Sequence, residues 1–299
     1  MTRTTAIFLS VLLTTGCSIK KVAVDRVGDA LAGTGGAWAS DGDPDLVRDA
    51  TPFALKTLES LLEARPEHRG LLLAAASGFT QYAHAFLQDE ADYLEAKDPA
   101  QAAHLRKRAK GLYLRARDYG LRGLDAELPG FRKAPDPARA GKDLVPLLYW
   151  TAAAWAAAFA LDITDSRLSA DQALIERMLD RALALDPAWN GGALHAFRGT
   201  WEAGHLQAGG TAARARAHFA EALRLSGGQD ASAHVALAET LALEAQDRKA
   251  FDAHLKDALA VDPDQDPGRR MAVLVAQKRA RWLQGRAADL FLDEPEKIP

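Results

Sequence analysis

Apolar positions recur along this chain with the 3.6-residue period of helices, and five times the period ends in the same way. An apolar residue is followed three positions later by a small or apolar one, and eight positions later by a proline or glycine. Leu179, Ala182 and Pro187 form one copy, Phe219, Ala222 and Gly227 a second, and Leu255, Ala258 and Pro263 a third. Leu58, Leu61 and Pro66, and Leu121, Leu124 and Pro129, are upstream copies. Proline removes an amide donor and biases the preceding residue away from the α region, so Asp186-Pro187 stops a helix. A second apolar face then opens at Leu194, Phe197 and Trp201. The unit is therefore helix, tight stop, helix. The late copies lie 40 and 36 residues apart, near the period of about 34 of tetratricopeptide-type repeats. The early gaps of 63 and 58 residues predict lengthened helices and inserted loops. The expected fold is all-α, a right-handed stack of tetratricopeptide-like helical hairpins.

Individual stretches refine this picture. A helix is expected over 71–95, with Phe79, Tyr82, Phe86 and Tyr93 on one stripe. The stripe reads first as repeat core and second as the wall of a groove. Residues 106–122 carry Arg106, Lys107, Arg108, Lys110, Arg115, Arg117 and Arg122. They read as a solvated helix, or as a patch that steers an acidic partner or organic anion. Residues 129–143, with Pro129, Gly130, Pro135, Pro137 and Gly141, are expected to form a surface insertion for partner contact or a lid. Leu144 to Leu161 is uncharged and 18 residues long, the length of a short membrane span. Seven of the nine residues from Ala152 to Ala160 are alanine, so close packing inside a helical array is the better reading. Asp41-Gly42-Asp43-Pro44-Asp45 reads as a helix cap, because the remaining calcium-loop spacing is missing.

The 299 residues are 48% hydrophobic and 26% charged, with a formal net charge of −3. Disorder, a polytopic membrane protein and a nucleic-acid binder are all disfavoured. The single cysteine rules out an internal disulfide and a cysteine-rich metal site. Its place is informative. Arg3 gives a basic start, Ala6 to Leu13 an apolar core, and Thr14-Thr15-Gly16-Cys17 follows. This resembles a bacterial lipoprotein signal, although Thr14 stands where leucine is usual. The resemblance implies cleavage before Cys17, lipidation of its thiol and a membrane tether. Ser18 resembles the outer-membrane sorting signal of some bacteria. The expected divisions are a signal peptide over 1–16, an anchor and tether over 17–43 and the repeat domain over 44–299. A helix is expected over 19–31, ended by Gly33, Gly35 and Gly36.

Several further stretches follow one another along the chain. Ser40 to Leu62 comes first. Gly78-Phe79-Thr80-Gln81-Tyr82-Ala83 with Phe86 and Ala91-Asp92, Arg117-Asp118-Tyr119-Gly120-Leu121, and Leu148-Tyr149-Trp150-Thr151 with Trp155 come next. Leu183 to Pro187 with Trp189 and His195, and Arg279-Ala280-Arg281-Trp282-Leu283 with Asp289-Leu290-Phe291-Leu292, complete the series. In this order they resemble the TatT family, the T-component of TRAP-type (tripartite ATP-independent periplasmic) transporters, with Ser40 to Leu62 similar to the family's opening. His84 stands where family members often carry an aromatic. The resemblance implies a periplasmic lipoprotein that partners a TRAP-type solute-binding protein.

Catalytic signatures are missing. The eight histidines form no H-E-x-x-H, and His195 and His205 lie ten apart, off a shared face. No G-x-S-x-G elbow or G-K-[ST] phosphate loop occurs, and Gly209-Gly210 and Gly227-Gly228 read as turns. A non-enzyme without metal or cofactor is expected. The aromatics Phe79, Tyr82, Phe86, Tyr149, Trp150, Trp155, Phe197 and Trp201 are the candidate lining of a cavity for a small apolar or organic-acid ligand. Self-association is expected too, because array ends need capping or pairing. The competing reading is a lipid-anchored repeat scaffold for an envelope assembly, with no ligand of its own.

Overall fold

The computed structural model describes residues 35–206 and 209–292, together with Arg26, and among them it is all-α without a strand. The expected signal peptide, Cys17 and, apart from the helical Arg26, the helix over 19–31 lie outside these residues. The helices are α1 (Gly35–Ala39), α2 (Pro44–Ala64), α3 (Arg69–Ala83), α4 (Asp89–Leu94), α5 (Pro99–Glu127), α6 (Val145–Ala160) and α7 (Ser166–Ala170). They continue as α8 (Gln172–Leu185), α9 (Ala193–Gly204), α10 (Ala212–Leu225), α11 (Ala231–Leu237), α12 (Arg248–Ala260), α13 (Arg270–Gly285) and α14 (Ala287–Leu290).

Local chemistry sets most of these boundaries. All five repeat copies sit at a helix end, closing α2, α5, α8, α10 and α12, with the breaker just beyond. Asp-Pro ends α8 and α12 but starts α2 and α5, where proline occupies the first turn and Asp43 or Asp98 caps. Asp43 Oδ1 accepts from the amides of Asp45 and Leu46 at 3.0 Å. Asp98, Thr211 and Asp247 cap α5, α10 and α12 in the same way.

Two loop regions carry more structure than their composition shows. Gly35 and Gly36, expected to end a helix, form part of α1, which packs on α13. The 129–143 segment lies mostly at the surface as expected, but it is anchored at several points. Phe131 and Ala140 are fully buried, Arg181 donates to the Ala140 carbonyl at 2.7 Å, and Arg69 pairs with Asp143 at 3.0 Å. A proline-rich composition reports the irregular backbone and not the side chains that hold it.

Helices pack chiefly on their sequence neighbours: α3 on α5 and α6, α5 on α6, α6 on α8, α9 on α10, and α11 on α12 and α13. The alanine-rich α6 is long and apolar enough to cross a membrane by length and composition, yet it lies against α3, α5 and α8 with eight residues buried. Gly120 on α5 permits the close approach, since its backbone abuts Thr151 of α6. The last long helix then returns to the first. α13 packs on α1 and α2, and Arg270 donates to the Ser40 carbonyl at 2.9 Å. Among the described residues, the first and last long helices thus meet.

A helix was expected to run unbroken over 71–95. It contains a π-helical turn at His84–Gln88, and a second π turn occupies Ala238–Ala242. Single π turns inside α-helices often mark functional positions.

Candidate functional site

The chain's closure is built around one arginine. Arg279 on α13 donates through Nε at 2.8 Å and Nη2 at 2.6 Å to Glu239 Oε1, and through Nη1 at 2.8 Å to Asp92 Oδ2. Asp89 lies 3.8 Å from the same guanidinium. Arg106 on α5 holds the other oxygen of Asp92 at 2.8 Å and pairs with Glu95. Asp89 begins α4 directly after the first π turn, and Glu239 lies inside the second. Both departures from α geometry therefore carry an acid to the same arginine. The Arg279 guanidinium also lies 4.4 Å from the Trp282 ring, which packs on Tyr93 at 5.3 Å.

The charges in this centre do not weigh equally. Asp89 is 4% exposed. Burial raises its carboxyl above the usual carboxylate range, while His84 at 3.9 Å and Arg279 offset part of the rise. Burial also raises Glu239, against the pull of Arg279. Burial works against the charge on Arg279, but Glu239, Asp89 and Asp92 outweigh it and hold its pKa up. The result is a clamp in which two arginines face four carboxylates, and burial leaves Asp89 poorly compensated.

The eight candidate aromatics do not assemble in one place. Phe79, Trp155 and Trp201 are core residues, at 3%, 5% and 5% exposure. Phe79 stacks on Tyr119 beneath Arg115. Trp201 donates to Glu176 at 2.9 Å and stacks on His205 at 4.0 Å. Tyr82 and Phe86 are half-buried neighbours at 5.7 Å. Tyr149 forms a separate half-buried cluster with Trp150, Trp189 and Phe197, at 5.0, 4.7 and 5.9 Å. Burial pushes the Tyr149 hydroxyl up to about 12, so it remains a donor at neutral pH. Trp155 Nε1 is buried without a hydrogen-bond partner, and Arg117 covers its ring at 5.1 Å. Two surface depressions, one around Asp125 and Arg132 and one around Gln229 and Arg269, contain none of the eight.

The basic stretch is largely neutralised from within. Lys110 reaches Asp162 at 2.7 Å, Arg115 reaches Glu59 at 3.3 Å, and Arg117 pairs with Asp118 at 2.7 Å. Arg122 donates to the Pro66 carbonyl at 2.9 Å. With Arg106 engaged in the clamp, a broad patch for an acidic partner does not form along α5.

Sequence reasoning missed the clamp and missed how the histidines pair. His195 and His205 diverge as expected, but His195 Nδ1 meets His218 Nδ1 at 3.0 Å, and His234 faces His254 with ring centroids 6.2 Å apart. One signal was available: His218 and His254 each directly precede a repeat residue, Phe219 or Leu255. For the clamp there was none, since Arg279 and Asp92 are 187 positions apart.

Comparison with known proteins carries the assignment further than geometry does. A protein of Treponema pallidum (strain Nichols), described as an uncharacterized protein, is 34% identical over 311 aligned positions that cover 96% of each chain. The family profile described as TRAP transporter T-component matches residues 40–291, the stretch that holds the repeats, the clamp and all eight aromatics. The chain belongs to the TRAP transporter T-component family.

Proposed function

We propose that the protein is a lipid-anchored periplasmic accessory of a TRAP-type transporter, tethered through Cys17 to the outer membrane, that docks the transporter's solute-binding protein. Family membership across residues 40–291 carries this reading. The five repeat endings and the packing of sequence neighbours support a tetratricopeptide-like stack as the docking scaffold. The clamp ties α13 to α4 and to the second π turn, which fixes these parts of the scaffold relative to one another. Self-association loses the ground given for it by open array ends, because the first and last long helices among the described residues meet.

Ligand passage is the finer part of the proposal. The half-buried pair Tyr82 and Phe86 offers apolar surface that suits the apolar part of a small organic acid. A scaffold without a ligand is the second reading. It is favoured by the dispersal of the eight aromatics between core positions and two separate half-buried groups.

Native mass spectrometry of the purified protein with the solute-binding protein encoded nearest its gene tests the proposal. A complex of defined stoichiometry is expected. A complex that carries a small molecule, lost in the Tyr82→Ala and Phe86→Ala variants, supports ligand passage. No complex at micromolar concentrations, with or without candidate organic acids, refutes the transporter reading.

A further inference from the structure

Two successive hairpins carry the same trio of side chains, and only one trio is satisfied. His218, Phe219, Glu221 and Arg224 on α10 stand 36 positions before His254, Leu255, Asp257 and Ala260 on α12. Each trio is completed by a histidine from the preceding helix, His195 on α9 or His234 on α11. In the first trio the Nδ1 atoms of His195 and His218 meet at 3.0 Å. Glu221 is drawn away by Arg224, which donates to both its oxygens at 2.6 and 2.7 Å. That set is closed.

In the second trio alanine replaces the arginine, and Asp257 has no ion pair among the described residues. His234 is 9% exposed, and its Nδ1 is buried without a partner. His254 Nδ1 is likewise buried and unpartnered. The Nε2 of His234 faces the Gly228 carbonyl at 3.4 Å. A carbonyl can only accept, so this contact puts the proton on Nε2 and leaves a bare lone pair on Nδ1. A backbone acceptor behind the ring is the usual support for a metal-bound histidine. Ligand atoms of His234, His254 and Asp257 all lie within 4.8 Å of one another. Tetrahedral zinc with bonds of about 2.0–2.1 Å needs its ligands about 3.4 Å apart, so binding draws all three side chains inward, the exposed Asp257 by rotation.

We propose that His234, His254 and Asp257 form a divalent transition-metal site of the zinc class that staples α11 to α12. Two imidazoles and one carboxylate select zinc over calcium or magnesium, which take oxygen ligands. The fourth position opens toward solvent beside Asp257 and takes water. A motif search along the sequence does not find the site, because His234 lies on a different helix from His254 and Asp257. The proposal stands apart from the transporter reading, and either can fail without the other.

The test uses the full chain, purified without a histidine tag, stripped with chelator and titrated with zinc and then with cobalt(II). One equivalent per chain is expected, with visible cobalt bands of tetrahedral nitrogen and oxygen coordination. Tm should rise by about 5 °C at free zinc about a hundredfold above Kd. His254→Gln and Asp257→Ala should each weaken binding by more than the roughly tenfold that loss of an outer-shell partner costs. His218→Gln should leave affinity unchanged. If His254→Gln fails to fold, Asp257→Ala decides, because that side chain is exposed. Absence of saturable uptake at one equivalent, unchanged affinity in Asp257→Ala, or loss of binding in His218→Gln overturns the proposal.

Discussion

Replacing Arg279 with methionine should loosen the seam that ties α13 to α4 and to the second π turn. The side chain is 15% exposed and serves Glu239, Asp92 and Asp89 together. The carboxylates would fare differently without it. Asp92 keeps Arg106 at 2.8 Å. Glu239 is 28% exposed and recovers part of its hydration. Asp89, at 6% side-chain exposure, is left with only His84 at 3.9 Å. Removing one partner of a fully buried pair costs about 3–5 kcal/mol. The second cation on Asp92 and the hydration of Glu239 discount that figure, while the lost contact with Trp282 adds about 0.5–1 kcal/mol. The expected loss is about 3 kcal/mol, read as a lower urea midpoint at unchanged slope. Amide exchange should quicken in α4, α13 and the second π turn, while the α5–α6 core keeps its protection. The double variant Arg279→Met, Glu239→Gln should recover about 1 kcal/mol, since it no longer strands a carboxylate. A loss below about 0.5 kcal/mol, within the range of an ordinary surface substitution, would refute the clamp.

Two further outcomes follow from the packing and charge. A Cβ on Gly120 would sit 2.1 Å from Thr151 Oγ1 and 3.2 Å from its Cα. Thr151 cannot swing away without losing its 2.6 Å bond to the Leu147 carbonyl. Gly120→Ala should therefore cost about 3 kcal/mol in chemical denaturation. Gly111, on the same helix with nothing within 4 Å of a built Cβ, should gain up to about 1 kcal/mol as alanine. Equal effects at the two sites would contradict the close approach of α5 and α6. Asp89→Asn should raise stability at pH 7. Burial lifts the folded-state pKa of Asp89, so the folded form favours the protonated acid. Its stabilising contribution is complete below the unfolded value of about 3.9 and is lost as pH rises through the folded value. The gap between the variant and the parent should thus shrink on acidification. A variant less stable than the parent at neutral pH would show that the ionised acid is held favourably by Arg279 and His84.

The 71–95 stretch shows where local reasoning stops. Its apolar period predicts a helix throughout, and helix is found on both sides of His84–Gln88. The π turn between them leaves the apolar pattern almost unchanged while aiming Asp89 and Asp92 at a helix from the far end of the chain. The 129–143 segment is exposed as its composition predicts, but its anchoring was not legible, for a related reason. Its prolines and glycines report an irregular backbone correctly, but only α8 and α3 supply the Arg181 and Arg69 contacts that pin it. Along 106–122 the charges were all visible, and their partners at Glu59, Asp92, Asp162 and Asp165 were not.

By itself the sequence determined the helices, their stops and their caps. Those depend on interactions within one turn of chain: an aspartate beside its own amides, a proline lacking its donor, apolar residues at three- and four-residue offsets. It also carried enough ordered similarity to name the family. Tertiary structure alone decided which aromatics are core, which histidines meet and how the ends join. These contacts arise between helices far apart in sequence, and no local period encodes which helices will be neighbours.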